Sequence, residues 1–260
     1  MQFIDTHSHL YSEEFKEDIS DAILRAKQAK VNKILLPNID IASIEHMLEL
    51  CKMDDCFFPM LGLHPTSIDK TYLDQIREIE LLLDKVNICA IGEIGIDLYW
   101  DKTFIEEQIS AFEIQAHWAM DRNLPLVIHV RKGFEEVLQS LEKLQKEIKG
   151  SNKKLKGVFH CFSGDLNQAK KVIEMGFKIG IGGVVTFKNA KLADIVSEID
   201  IEDILLETDS PYLAPTPYRG KRNESSYIPI IAERISQIKN ISLQEVASIT
   251  TNSAQELFTI

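Results

Sequence analysis

Six side chains able to hold a metal ion, His7, His9, Glu93, His129, His160 and Asp209, stand at or just past the C-terminal ends of short apolar runs. They are scattered between residues 7 and 209, so one site can contain them only if the fold gathers many strand ends at one face. A closed parallel barrel does this, because all its strands deliver their C-terminal ends to the same rim. Eight runs rich in Ile, Val, Leu and Phe supply the strands: Gln2 to Asp5, Lys33 to Pro37, Phe58 to Gly62, Ile88 to Glu93, Pro125 to His129, Gly157 to His160, Phe177 to Gly182 and Ile204 to Thr208. Such short, nearly continuous runs mark strands buried on both faces. Between them lie amphipathic segments such as Glu106 to Asp121, where Ile109, Phe112, Ile114, Ala116 and Ala119 recur among polar residues at helical spacing. The expected fold is α/β, a TIM (β/α)8 barrel forming a single domain over residues 1–260, close to the roughly 250 residues such a barrel needs.

The formal net charge of -11 argues against nonspecific coating of a polyanion, since no basic stripe exists to displace its counterions. A nucleic-acid substrate remains compatible with this charge if divalent cations invert the field locally. Residues 1–7 lack the basic and apolar regions of a signal peptide, and no run approaches the roughly 18 apolar residues of a membrane span. A cytoplasmic protein with no membrane association and no obligate protein partner is expected. Cys51, Cys56, Cys89 and Cys161 have no zinc or redox spacing and are expected to be unpaired thiols. Lys149 to Lys154 reads as a solvated loop, and the proline-rich stretch Pro211 to Tyr218 as an ordered irregular loop over the barrel mouth.

His7 and His9 leave the first strand on the same side, and two imidazoles at that spacing can chelate one ion. A lone His-x-His is as readily a surface turn, and a lone strand-end histidine is more readily a core residue bonded to backbone. What shifts the balance is number: of seven histidines, His7, His9, His64, His129 and His160 fall at or just beyond strand ends, leaving His46 and His117 on helices. His129 and His160, on the adjacent fifth and sixth strands, can hold a second ion. Glu93 ends an apolar run where an unpaired carboxylate is costly to bury, a cost met if it bridges two cations. Asp209, on the eighth strand beside the first, reaches the ion of His7 and His9 and can take a proton from water. Glu207 reads equally as a hydrogen-bonded barrel residue. His64 is placed to touch a substrate phosphate.

The segments Asp5 to His9, Gly62 to Pro65, Gly92 to Asp97, Val127 to Arg131, His160 to Gly164 and Glu207 to Pro211 together resemble, in order and spacing, the motifs of the TatD-type metal-dependent deoxyribonucleases. The resemblance implies a TIM-barrel hydrolase with two divalent ions: His7, His9 and Asp209 on one, His129 and His160 on the other, Glu93 bridging. It extends to the loop Ala214 to Glu224, where Ser225 stands in place of the family's usual proline. Arg131, Arg219 and Arg222, with Lys221, are the residues expected to meet phosphates.

The expected activity is deoxyribonuclease cleavage of phosphodiester bonds in DNA, at ends or single strands, with Asp209 orienting or deprotonating the attacking water. The ligand set, rich in His and carboxylate and free of Cys, suits Zn, Mn or Mg. The rivals are other metal hydrolases on this barrel: an aminoacyl-tRNA deacylase, a lactonase or a phosphotriesterase. Several of these bridge their metals with a carboxylated lysine, and no lysine ends the fourth or fifth strand here. A noncatalytic barrel is disfavoured because no ligand is missing.

Overall fold

In the computed structural model, which describes residues 1–260, eight strands form one parallel sheet in sequential order. They are β1 (Phe3–Asp5), β2 (Val31–Pro37), β3 (Phe57–Leu61), β4 (Ala90–Asp97), β5 (Leu126–Arg131), β6 (Gly157–Phe159), β7 (Phe177–Ile181) and β8 (Ile204–Leu206). Helices α1 (Ile19–Gln28), α2 (Ile41–Cys51), α3 (Tyr72–Glu80), α4 (Ile105–Arg122), α5 (Phe134–Glu147), α6 (Leu166–Glu174), α7 (Leu192–Glu198) and α8 (Ile228–Lys239) follow the strands in turn, and α9 (Leu243–Phe258) ends the chain. The sheet curls into the expected TIM barrel, nearly closed between β1 and β8. The seam is held by backbone bonds at the C-terminal rim: Thr6 N donates to Leu206 O (3.0 Å), Asp209 N to His7 O (2.9 Å) and His9 N to Ser210 O (2.8 Å). The closing bonds therefore pass through the segments that carry His7, His9 and Asp209.

Two apolar cores follow from the two faces of the strands. The larger lies between sheet and helices, built from residues such as Phe3, Leu36, Ile94, Phe112, Leu141 and Phe177. The smaller fills the barrel: Ile4, Leu35, Met60, Ala90, Val127, Val158 and Leu205 meet inside it, and Ala254, Leu257 and Phe258 of α9 pack against them. With apolar side chains filling its interior, the barrel leaves its polar chemistry to the C-terminal rim. Local signals set the helix ends: Asp40, Asp165 and Ser242 each close a capping box, and α4 and α8 stop at Asn123 and Asn240 in left-handed backbone. No helix is long and apolar enough to cross a membrane, and all four cysteines are free.

The strand limits differ from expectation most at β4, which runs on to Asp97 and so places Glu93 in mid-strand. Between Ile91 and Ile94 the β4 residues outnumber their β5 partners, Leu126 and Ile128, by one. Such a bulge redirects a side chain. Beyond it, Gly95 pairs with His129 at φ 149°, and a Cβ there would overlap the His129 carbonyl. Gly95→Ala is expected to cost more than about 3 kcal/mol, measured by denaturant unfolding, because β4 and β5 would have to part.

Candidate metal centre

At the rim the six expected ligands converge, with the two oxygens of buried Glu93 facing different ways. Oε2 stands 3.1 Å from His7 Nε2 and 3.6 Å from His9 Nε2, which are 3.3 Å from each other. Oε1 faces His129 Nδ1 at 3.0 Å, His64 Nε2 at 3.3 Å and His160 Nε2 at 3.5 Å. Asp209 Oδ1 lies 3.7 Å from both His9 Nε2 and His160 Nε2, and 4.0 Å from His7 Nε2.

Outer partners decide which ring nitrogens offer lone pairs. Tyr11 donates its hydroxyl proton to Pro37 O (2.7 Å), so its oxygen accepts from His9 Nδ1 (3.0 Å), leaving the lone pair on Nε2. Asp97 Oδ2 accepts from His129 Nε2 (2.9 Å), leaving the lone pair on Nδ1. His160 Nδ1 lies 3.2 Å from Glu207 Oε1, an oxygen that also accepts from Cys161 N (2.6 Å). His64 is arranged the other way: Thr66 N donates to its Nδ1 (3.2 Å), so the proton sits on Nε2. His64 is thus a donor pointing into the site, unlike His9 and His129, whose outer partners Tyr11 and Asp97 hold their far ring nitrogens.

This donor set fits divalent cations. His7 Nε2, His9 Nε2 and Glu93 Oε2 stand within 3.6 Å of one another, more acceptors than one shared proton can satisfy, and a cation among them meets all three, while His129 Nδ1 faces the other oxygen, Oε1, at 3.0 Å. The electrostatics demand positive charge. Burial opposes protonation of His129 and His160, yet Asp97 and Glu93 push the first up to about 9, and Glu207, Glu93 and Asp209 the second to about 10. Burial also opposes ionisation of Glu93, but His64, His7 and His160 hold it well below the usual carboxylate range. Burial holds His7 well below its ordinary value and lowers His9 to about 4, in the unprotonated form a metal needs. Burial raises Asp209 to about 7.

Asp97 and Tyr11 are orienting residues that sequence reasoning missed. Asp97 closes the Gly92 to Asp97 motif, and an acidic residue at a strand end was its available signal. Removing its charge with Asp97→Asn is expected to weaken metal binding about 10- to 100-fold, measured by competition with a chromogenic chelator.

Of the three arginines expected to meet phosphate, Arg131 lines the roughly 880 Å³ cavity above the site, together with Lys191. Arg219 stacks on Phe187 (4.6 Å) outside its lining. Arg222 is engaged elsewhere: it donates to both oxygens of Asp18 (2.6 and 2.7 Å) and to Glu14 O (2.6 Å) and lies over Phe15. Glu224 accepts from Arg25 Nε (2.9 Å) and Nη2 (2.7 Å), while Asn223 donates to Thr208 O and Tyr212 O. Residues 222–224 therefore tie the loop after β8 to α1, and Ser225 opens a short 3-10 turn leading to α8. Arg222 and Arg25 hold the Asp18 carboxyl below its ordinary value. A depressed folded-state pKa adds stability that is full above the unfolded value and is lost as the pH falls through the folded one. Asp18→Asn should therefore destabilise near neutrality, with the gap from wild type beginning to close below about pH 4 and vanishing only below the depressed folded-state value, checked by unfolding across that range.

A parallel α/β barrel whose strand ends present imidazoles and carboxylates with outer-partner support is the framework of a metal-dependent hydrolase. Comparison with known proteins makes this specific: the model of the TatD related DNases matches residues 4–259, and the chain belongs to that family. It is 39% identical over 258 residues to the uncharacterized metal-dependent hydrolase YabD of Bacillus subtilis, covering 98% of each chain. It is 30% identical over 264 residues to the uncharacterized metal-dependent hydrolase YcfH of Escherichia coli, covering 100% of this chain and 97% of that protein. Its fold is similar to the crystal structure of YjjV, a TatD homolog from Escherichia coli K12, with a TM-score of 0.88 and 28% identity over 99% of this chain and 98% of that one.

Proposed function

We propose that the protein is a two-metal deoxyribonuclease acting on DNA ends or single strands. The observation that carries this reading is the division of Glu93, whose two oxygens face separate groups of imidazoles. His7, His9 and Asp209 would hold one ion, His129 and His160 the other, with Glu93 shared between them; Zn, Mn and Mg all suit such ligands. Divalent ions here would supply Lewis acidity, lowering the pKa of water and offsetting phosphate charge.

The chain's own groups do the rest. Asp209, near both imidazole groups, takes the proton of the attacking water. His64 donates its Nε2 proton to a phosphate oxygen, and Arg131 adds a fixed positive charge at the cavity wall. Tyr212 and Leu213, from the loop after β8, line the same cavity.

The test is metal-stripped protein reconstituted with magnesium, manganese or zinc and assayed on end-labelled single- and double-stranded DNA, with aminoacyl-tRNA and simple lactones in parallel. Metal-dependent DNA cleavage is expected, and the product ladder reports its polarity. Turnover of an ester alone would overturn the reading.

A further inference from the structure

Beside the cavity the chain exposes an aromatic step that no metal ligand requires. Trp100 is 78% exposed and Tyr99 47%, at the start of the loop between β4 and α4. Their rings meet edge to face, centroids 4.7 Å apart at 89°, and the exposure of Trp100 leaves most of its indole open. The Arg131 guanidinium lies 3.5 Å over the Tyr99 ring, and Trp100 and Arg131 both line the cavity that contains Glu93 and His129. The step is held in register with the metal centre. Asp97 Oδ2 accepts from His129 Nε2 (2.9 Å), while its Oδ1 accepts from Tyr99 N (2.9 Å), and Leu98 N donates to Arg131 O (2.8 Å). One carboxylate thus fixes both a metal-facing imidazole and the backbone of the aromatic step.

An exposed indole is unfavourable unless something covers it, and the neighbouring guanidinium favours a flat, electron-rich group attached to an anion. We infer that Tyr99, Trp100 and Arg131 form a stacking platform for an unpaired nucleobase beside the phosphate held at the metal centre. The inference rests on the deoxyribonuclease reading and deepens it: a base inside a duplex has its faces covered by its neighbours, so the platform selects frayed ends and single strands.

Trp118, the second tryptophan, is buried, so quenching of the exposed indole reports Trp100. Oligothymidylate is expected to quench it, and an abasic strand of equal length to do so far less. Trp100→Ala should raise the Kd for oligothymidylate about tenfold with unchanged metal content, and Trp100→Phe should recover most of the loss. Equal quenching by the abasic strand, or W100A cleaving single-stranded DNA with wild-type kcat/KM, would overturn the platform while leaving the deoxyribonuclease reading intact. Base-dependent quenching without any DNA cleavage would support the platform and count against that reading instead.

Discussion

Replacing Glu93 with alanine is expected to lower metal-dependent hydrolysis by on the order of 10³-fold and to remove bound metal. Glu93 is the carboxylate that meets the two imidazole groups with separate oxygens, at 3.1 Å from Oε2 to His7 and 3.0 Å from Oε1 to His129. Without it, His7, His9, His64, His129 and His160 crowd around a buried gap in which Asp209 is the one remaining carboxylate among the candidate ligands. Glu93→Gln separates charge from packing. It keeps the volume but offers one neutral oxygen and two N–H donors, so it should lose nearly as much activity and metal as the alanine variant. Metal analysis, turnover on single-stranded DNA and denaturant unfolding of both variants decide the matter. Full nuclease activity in either variant, or two ions per chain still retained, would remove Glu93 from the centre of the site. Simple unfolding would show as lost cooperativity in both, rather than as a stable protein without metal.

The features readable from sequence were those in which residue type and position carried the same message. His129 and His160 each terminate an apolar run and His7 stands just past one, and a polar group at such a place has few structural reasons to exist, so the barrel and its candidate ligands are legible together. Features that depend on register or on distant partners did not emerge. Nothing in Ile91-Gly92-Glu93-Ile94 signals an extra residue in register, so Glu93 reads as a strand end although it sits in mid-strand. Arg222 reads as one of a basic cluster with Arg219 and Lys221 because its partner, Asp18, lies 204 residues earlier and becomes a neighbour only once α1 packs beside the loop after β8. The choice of ring nitrogen was equally hidden, since it is set by Tyr11 for His9, Asp97 for His129 and the Thr66 backbone for His64.

Asp209 poses the sharper catalytic question, because the proposed function assigns its carboxylate both a ligand role and a proton-accepting role. Its backbone is left-handed, φ 57°, fixed by donation from its N–H to His7 O (2.9 Å) and by Tyr212 N donating to its carbonyl (2.8 Å). Asparagine tolerates that conformation better than almost any residue but glycine, so Asp209→Asn should fold with nearly unchanged stability. The substitution leaves an oxygen able to approach a cation but no group able to accept a proton. The expected result is a fall in kcat of about 10² to 10³ with KM for single-stranded DNA close to wild type and the ion at Glu93, His129 and His160 retained. A rise in KM at constant kcat would mean that Asp209 only helps to bind substrate. Activity within a few-fold of wild type would move the proton acceptor elsewhere. His64 would not inherit the role, because its Nε2 carries a proton while Nδ1 accepts from Thr66, which makes it a donor at the same cavity. The donor state of His64 follows from the Thr66 hydrogen bond, and the paired kcat effects of Asp209→Asn and His64→Ala would reveal the proposed division of labour with an acceptor at Asp209.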